Sequence, residues 1–590
     1  MPQFLLSIST GRPETLLPAL RPGHVSRLLF ERTAGARRCA LHQLIPGGAQ
    51  ERGRAAVIQA DQGATFHLGD ETDVVIGLEQ RRLTITVPLT SLRHVYYRRD
   101  AEALFISDDV RLLVRPEMSF DARGLLCQLE LVAPIAPFSF WREIRRIPPG
   151  TAFTVDLDSL SVREAAVPYF KNPGDPSFQA QPSDELRITR TGELLDEAIR
   201  ESSPDRRGVI LFSGGVDSGL LAARAAEMGW REVVLAHSTR GPEDQETRVA
   251  RDMAAHLKLE FHAFRYDPED AMSALREMFD AYQTVNDYSM MPTSVLARQI
   301  VDAFPNETVV WNGTNADALF GGLEKWRKAR LTYRAPAPVR HLAAWIYRAG
   351  HFWARTTTPI EHNLCVVRRT ALWPYPSFTL ALHPLGEIAY HAPPGIRGEI
   401  AETVYGWLDI MAAALPPGVR PKLLTVAVNA CGKGCLKPAA VFENAGMAAR
   451  FPFLARDLVT FSLQEATTWP PHLRENKALL KELLARSVPR EMVYRRKSGF
   501  IIPAGETFGH RMFLNAFSEV IESSSGPFAA LLKRNVLRRM HMAMQRREPL
   551  AWYTYEAVWS LVFGHHWITR VQGHALAAKA QTGATGALRA

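Results

Sequence analysis

From about residue 55 to 170 the chain alternates short apolar runs with turns, as in Arg82-Leu83-Thr84-Ile85-Thr86-Val87 and Ala103-Leu104-Phe105-Ile106-Ser107. That period of two is the one half-buried strands require, so the first part is expected to be β-rich. Pro168 to Pro182 carries Lys171-Asn172-Pro173-Gly174-Asp175-Pro176 and little periodic apolar content, and reads as a linker that ends a first domain, 1–182. Beyond it the period changes. Ile188 to Ile199 has helical spacing, Gly208 to Phe212 is a short buried strand, and Gly219 to Met228 is an Ala/Leu-rich helix. A strand at Val233 to Ala236, a helix from about Asp244 to Leu257 and a strand at Thr308 to Trp311 continue the alternation. Strands alternating with helices imply a parallel sheet covered on both faces, with ligands at the carboxyl ends of the strands. The expected fold is therefore α/β in two domains, the second spanning 183–572 with a helical insertion at about 330–440 that includes Glu399 to Ala414. Residues 573–590, rich in Ala, Gly, Thr and Gln from Ala575 onward, read as a frayed tail. No internal repeat is visible.

Composition narrows the chemistry only a little. The 590 residues are 46% hydrophobic, enough for large cores, and carry 70 Lys and Arg against 61 Asp and Glu. The excess of +9 is spread over short clusters, which suits an anionic ligand, and no zinc-finger spacing, ribonucleoprotein aromatic motif or long basic helix marks a nucleic-acid partner. Met1-Pro2-Gln3-Phe4-Leu5-Leu6-Ser7 lacks a secretory pattern and no apolar run approaches a membrane span, so a cytoplasmic location is expected. Five cysteines, Cys39, Cys127, Cys365, Cys431 and Cys435, argue for reduced thiols over a disulfide framework.

The candidate chemistry sits where the first strand of the parallel sheet ends. Leu211-Phe212-Ser213-Gly214-Gly215-Val216-Asp217-Ser218 places a Ser-Gly-Gly turn between a strand and a helix, where backbone N–H groups converge on phosphate oxygens. Gly214 and Gly215 allow the close approach, Ser213 and Ser218 add hydroxyls, and Asp217 suits magnesium. A turn whose Asp and Ser merely cap the helix would not need two glycines. The Walker A pattern is absent, so transfer of the γ-phosphate is not indicated. A second strand and glycine turn, Trp311-Asn312-Gly313-Thr314-Asn315-Ala316-Asp317, offers Asp317 as a metal carboxylate or a helix cap.

Ser213 to Ser218 resembles the signature of the ATP-pyrophosphatase family, whose members cleave ATP between the α- and β-phosphates. Gly313 to Gly322 resembles the Gly-x-Gly-x-Asp-x-Leu-Phe-Gly-Gly stretch of asparagine synthetase, which implies Asp217 and Asp317 as joint magnesium ligands. Lys477-Ala478-Leu479-Leu480, Val488-Pro489-Arg490-Glu491 and Arg496-Lys497-Ser498-Gly499-Phe500 resemble the C-terminal end of asparagine and β-lactam synthetases. By that likeness Lys497 stabilises charge on the α-phosphate and on the oxyanion; by composition alone, Arg495 to Lys497 is a solvated basic turn. Glu443 to Leu454 resembles a further family segment with Ala448 and Ala455 in place of acids, a scaffold marker in which Glu443 is a candidate for the substrate pocket. The family reads adenine with backbone groups of the strand after the loop helix, here Ala236 and Ser238. Asp244-Gln245-Glu246 matches a family acidic pair, or is a helix first turn that favours acids.

His94 to Asp100, Phe105 to Asp109 and Ile144 to Thr151 resemble the glutaminase domain of asparagine synthetase, which implies an Ntn-type β sandwich at the N-terminus. That enzyme's nucleophile is a cysteine directly after the initiator Met, and position 2 here is Pro. Cys39 and Cys127 have no such context, so glutamine is not expected as nitrogen donor and the attacking amine belongs to the substrate. β-Lactam synthetases and lasso peptide macrolactam cyclases share this loss. The former have a base, Tyr, where this chain has Thr314, and a peptide α-amine, with a reference pKa of about 7.7 to 8.0, needs less help. The resemblance thus points to a lasso peptide cyclase that uses ATP and Mg2+ and takes a linear precursor or core peptide, with a leader peptidase and a leader-recognition protein as partners. Asp287, in Asn286 to Pro292, matches a family pocket segment or is a cap. Cys431-Gly432-Lys433-Gly434-Cys435 leaves open an RNA-modifying enzyme of the same loop family, though one Cys pair without His reads as structural thiols.

Overall fold

The computed structural model describes residues 3–9, 24–34, 37–46, 56–60, 63–67, 74–79, 81–167, 183–239, 241, 244–281, 288–321, 335–349, 390–412, 420–426, 434–465, 472, 476–495, 503–550 and 552–587. The strands of the first part are β1 (Gln3–Ser9), β2 (His24–Ala34), β3 (Arg37–Pro46), β4 (Ala56–Ala60), β5 (Gly63–His67), β6 (Val75–Leu78), β7 (Arg82–Val87), β8 (Tyr96–Arg99), β9 (Ala103–Ser107), β10 (Ile144–Arg146), β11 (Thr151–Asp156) and β12 (Val162–Ala166). They form two antiparallel sheets, β10-β8-β9-β1-β3-β2 and β12-β11-β7-β6-β5-β4. Along β7 the alternation seen in the sequence is obeyed, with Leu83, Ile85 and Val87 buried and Arg82, Thr84 and Thr86 turned outward. These side chains meet Phe4, Leu6, Ile8, Leu104 and Ile106 of the other sheet in one apolar layer.

The β structure starts at Gln3, well before residue 55 where the pattern becomes readable. β1 lies between β9 and β3, and it is buried on both faces: Phe4, Leu6 and Ile8 point into the sandwich while Leu5 joins the second core. A strand buried twice has no polar alternation to read.

The second part is built on a five-stranded sheet in which every pairing is parallel. Its strands are β13 (Gly208–Leu211), β14 (Val233–Thr239), β15 (Glu260–Arg265), β16 (Val309–Trp311) and β17 (Ala448–Arg450), in the order β15-β14-β13-β16-β17. Helix α1 (Ala122–Leu131) belongs to the first part, while α2 (Asp184–Ser202), α3 (Val216–Glu227) and α4 (Gln245–Leu257) lead up to and along the parallel sheet. The chain leaves β13 towards β14 and β15, then returns to β16 on the other side. The strand order therefore reverses between β13 and β16, and the carboxyl ends of these two strands are where sheets of this kind bind ligands. β17 comes from the segment read as a scaffold marker, and it closes the sheet edge beside β16.

The described residues of the insertion form the helices Ala337–Ala349, Ile396–Ala412, Arg420–Thr425 and Leu436–Asn444. The last helix, Trp552–Ala587, runs on through the stretch that composition alone marks as a tail. An Ala-rich segment satisfies both readings, because alanine carries the highest helix propensity. The same helix returns to the first part: Gln128 of α1 donates from Nε2 to the Ser560 carbonyl at 3.3 Å, and Trp567 packs on Phe140 and Trp141. Buried Glu130 accepts hydrogen bonds from Tyr390 and Arg397, adding a charged tie from α1 to the insertion. Among the described residues no helix is long and apolar enough to cross a membrane. The linker 168–182 lies outside the described residues.

Candidate active site

β13 and β16 are paired with Val209 opposite Val310 and Ile210 opposite Trp311, so Leu211 and Asn312 leave the sheet side by side. Two loops written 100 residues apart are brought into contact by this register. A Cβ added at Gly313 would lie 2.9 Å from Asp217 Cβ, so glycine is what lets the second loop touch the first helix turn.

In the first loop, Gly214 is left-handed with φ +64°, and a Cβ there would fall 2.9 Å from the Ala250 Cα on α4. The Ser213 N–H donates to Ser218 Oγ at 3.1 Å, the two serine hydroxyls stand 3.3 Å apart, and the Gly215 N–H donates to Ser213 Oγ at 3.3 Å. Gly215 begins α3 with no side-chain cap, so the amide groups of its first turn are left for another acceptor. Val216 and Leu211 flank the loop at the start of α3 and the end of β13. Capping therefore does not account for Asp217.

Asp217, in the first turn of α3, and Asp317, in the first turn of the helix Ala316–Phe320, both point at one cation, the ammonium of Lys477. Its Nζ lies 2.7 Å from Asp217 Oδ2 and 2.9 Å from Asp317 Oδ1. The Asp317 side chain is 71% exposed and that of Lys477 only 10%. Burial works to lower the Lys477 pKa, but Asp217 and then Asp317 outweigh it and raise it above the ordinary lysine value. Lys477 takes a left-handed φ of +60° directly before the helix Ala478–Leu484, and its N–H donates to the Phe320 carbonyl at 3.1 Å. This places the ammonium between the loops. Two carboxylates converging on one positive charge fit magnesium, which is held by one or two carboxylates together with substrate phosphates. Among the described residues no group of three or more His, Cys, Asp or Glu could hold a metal by itself.

The remaining sequence candidates fall around this centre or outside the described residues. Thr314 donates from Oγ1 to Asn312 Oδ1 at 2.6 Å and from its N–H to the same oxygen at 2.8 Å, which shapes the second loop. Ala236 lies inside β14 with its carbonyl accepting from the Phe212 N–H at 2.8 Å, and Ser238 is half-buried near the strand end. Glu443 is half-buried near the end of the helix that feeds β17. Lys497, Asp287 and Cys431 lie outside the described residues, while Cys435 is buried before the helix Leu436–Asn444.

Three groups in the site were not legible as functional in the sequence. In the sequence Lys477 is only the first residue of a family-like stretch. His237 is buried, its Nδ1 lies 2.8 Å from the Phe212 carbonyl and its Nε2 3.1 Å from Thr247 Oγ1, and burial lowers its pKa, so a neutral imidazole braces the loop from β14. Arg495 reaches back to the loop, with Nη2 at 3.3 Å from the Gly214 carbonyl and 3.0 Å from Glu246 Oε2. The acidic pair at the start of α4 divides accordingly: Asp244 caps the helix and Glu246 holds this arginine.

In the first part, neither described cysteine is set up as a nucleophile. Cys39 is buried in β3, and burial pushes the Cys127 thiol up to about 12.

Comparison with known proteins yields one match that carries weight. Residues 190–376 and 440–569 match the asparagine synthase family, a span that covers both loops and the Lys477 helix. No curated protein matches. Among solved structures, an NH3-dependent NAD synthetase from Campylobacter jejuni subsp. jejuni NCTC 11168, in complex with the nitrate ion, is similar at 15% identity over 24% of this chain and 60% of that one, with a TM-score of 0.18. With more than half of its residues matched, the chain belongs to the asparagine synthase family and carries a synthetase domain of the ATP-dependent, amide-forming ligase type.

Proposed function

We propose that this ligase closes a macrolactam in a linear peptide, joining the peptide's N-terminal amine to an Asp or Glu side-chain carboxylate. The substrate carboxylate attacks the α-phosphate of ATP, pyrophosphate leaves, and the amine then attacks the acyl-adenylate and expels AMP. The Ser213 and Ser218 hydroxyls and the Gly215 N–H hold the departing pyrophosphate, and Asp217 and Asp317 hold its counter-ion. Magnesium, when bound, supplies charge neutralisation of the leaving group. Lys477 supplies a second positive charge at the same place. Lys497 is assigned, from its sequence context, to stabilise both transition states.

The observation that carries the choice of a peptide amine is the engagement of Thr314. Its hydroxyl is donated to Asn312 at 2.6 Å, so the position from which a small-ring enzyme would deprotonate its amine holds a loop-shaping residue. The N-terminal part supports the same reading, because the buried Cys127 thiol offers no thiolate for releasing ammonia from glutamine. Incubation with ATP, magnesium and a panel of linear peptides bearing Asp or Glu is expected to release AMP and lower the mass of one peptide by one water. Release of AMP with glutamine or ammonia and free aspartate, and with no peptide, contradicts the proposal.

A further inference from the structure

The pyrophosphate loop contains two successive glycines, and the peptide between them is free to rotate in a way that no side chain opposes. Its orientation decides the chemistry of the site. With the Gly215 N–H on the side of the Ser213 and Ser218 hydroxyls, the loop offers one more donor to an anion; with the peptide turned over, it offers a carbonyl oxygen that repels the same anion. In this structure the N–H faces Ser213 Oγ at 3.3 Å, and the carbonyl on the other side of the peptide faces the guanidinium of Arg495.

Arg495 is well placed to hold it there. Its Nη1 lies 3.3 Å from Glu246 Oε1 and its Nη2 3.0 Å from Glu246 Oε2, a two-pronged pairing that fixes the guanidinium plane. The two side chains are 17% and 12% exposed. Glu246 is itself fixed, because it lies in the first turn of α4 with its N–H donated to Asp244 Oδ1 at 3.2 Å, and the same helix meets Gly214 at Ala250. Nη2 then reaches the Gly214 carbonyl at 3.3 Å. Glu246 balances the guanidinium charge while Nη2 stays on the loop carbonyl.

We infer that Arg495 is a positioning residue for the pyrophosphate loop: backed by Glu246, it holds the Gly214–Gly215 peptide with its carbonyl turned away from the anion site and its N–H turned towards it. This rests on reading residues 213–218 as the pyrophosphate loop. It also explains why a residue 281 positions downstream in sequence belongs to the same site.

The test needs no knowledge of the amide substrate. Inorganic pyrophosphate and α,β-methylene-ATP, each with magnesium, are titrated calorimetrically into the full chain and into Arg495→Ala, Arg495→Lys and Glu246→Gln. Arg495→Ala is expected to weaken pyrophosphate binding by about 10- to 100-fold, the worth of one charge-assisted hydrogen bond, and millimolar guanidinium is expected to restore part of it. Arg495→Lys, which keeps the charge but loses the fork, and Glu246→Gln should each fall between. Unchanged binding by Arg495→Ala, or no recovery with guanidinium, overturns the inference. If Arg495→Ala does not fold, Arg495→Lys decides, and wild-type binding there overturns it equally. Failure of the unsubstituted chain to bind either probe instead removes the loop assignment on which the inference stands.

Discussion

The antiparallel sandwich and the parallel sheet place their polar groups in opposite ways. In the sandwich they are turned inward and consumed by one another: buried Asp108 is paired with Arg93 and accepts the Phe4 N–H at 2.8 Å, and Ser107 donates to the Phe4 carbonyl at 2.6 Å. Burial pushes the Asp108 carboxyl up to about 6, against the pull of Arg93 and of the Phe4 N–H. In the parallel sheet the polar groups collect where strands end, and they remain within reach of a ligand, as the largely exposed Asp317 illustrates. Similar residue types are thus buried and paired in one part and gathered at an open strand end in the other. What separates the two uses is their place in the fold, because a parallel sheet whose order reverses leaves a crevice while a filled sandwich does not.

That contrast can be broken most sharply at Asp217. Asp217→Asn keeps the shape of the loop and removes one of the two carboxylates; it is expected to lower AMP release per folded molecule by about 1,000-fold or more, and also to lower the melting temperature, because the largely buried Lys477 ammonium is left with Asp317 alone. Activity within tenfold of the unsubstituted chain would take the first loop out of the mechanism. Lys477→Ala comes next, because it strips the cation from between Asp217 and Asp317. It should cost about 3 kcal/mol of stability and about 100-fold in AMP release. Added magnesium should raise the melting temperature of this variant more than that of the parent. Arg93→Ala probes the sandwich, where breaking a buried pair costs about 3 kcal/mol, and kcat per folded molecule should remain within twofold. A large fall in kcat would give the first part a direct role in the reaction.

The last helix should respond to pH. His565, which lies beside Gly526, is buried and its pKa is lowered to about 4. A histidine depressed in the folded state contributes stability that is complete above its unfolded pKa of about 6.5 and is lost as pH falls towards 4. The loss amounts to about 3 kcal/mol at most, and His565→Gln should flatten this part of the melting profile measured by calorimetry. An unchanged slope in the variant would assign the acid sensitivity to other groups.

How much of this was legible in the sequence depended on how far each feature is spread along the chain. The first loop was readable because six consecutive residues, Ser213 to Ser218, hold the turn, the hydroxyls and the acid. The β13 and β16 strands were readable because their loops carry glycines at informative places. Lys477 was not, because its role depends on a left-handed backbone and on partners 260 and 160 residues away. Arg495 looked like one member of a basic turn until the fold brought Glu246 and Gly214 to it. β1 was missed because a strand buried on both faces loses the alternation that marks a strand.

The central claim is that a substrate carboxylate attacks the α-phosphate. Its most direct test uses a cyclising peptide whose Asp or Glu side chain carries 18O in both carboxylate oxygens. If the carboxylate is adenylated, one labelled oxygen must leave with the nucleotide, so the AMP released in unlabelled water should be heavier by one 18O for each ring closed. Unlabelled AMP, or ADP as the nucleotide product, would contradict the account.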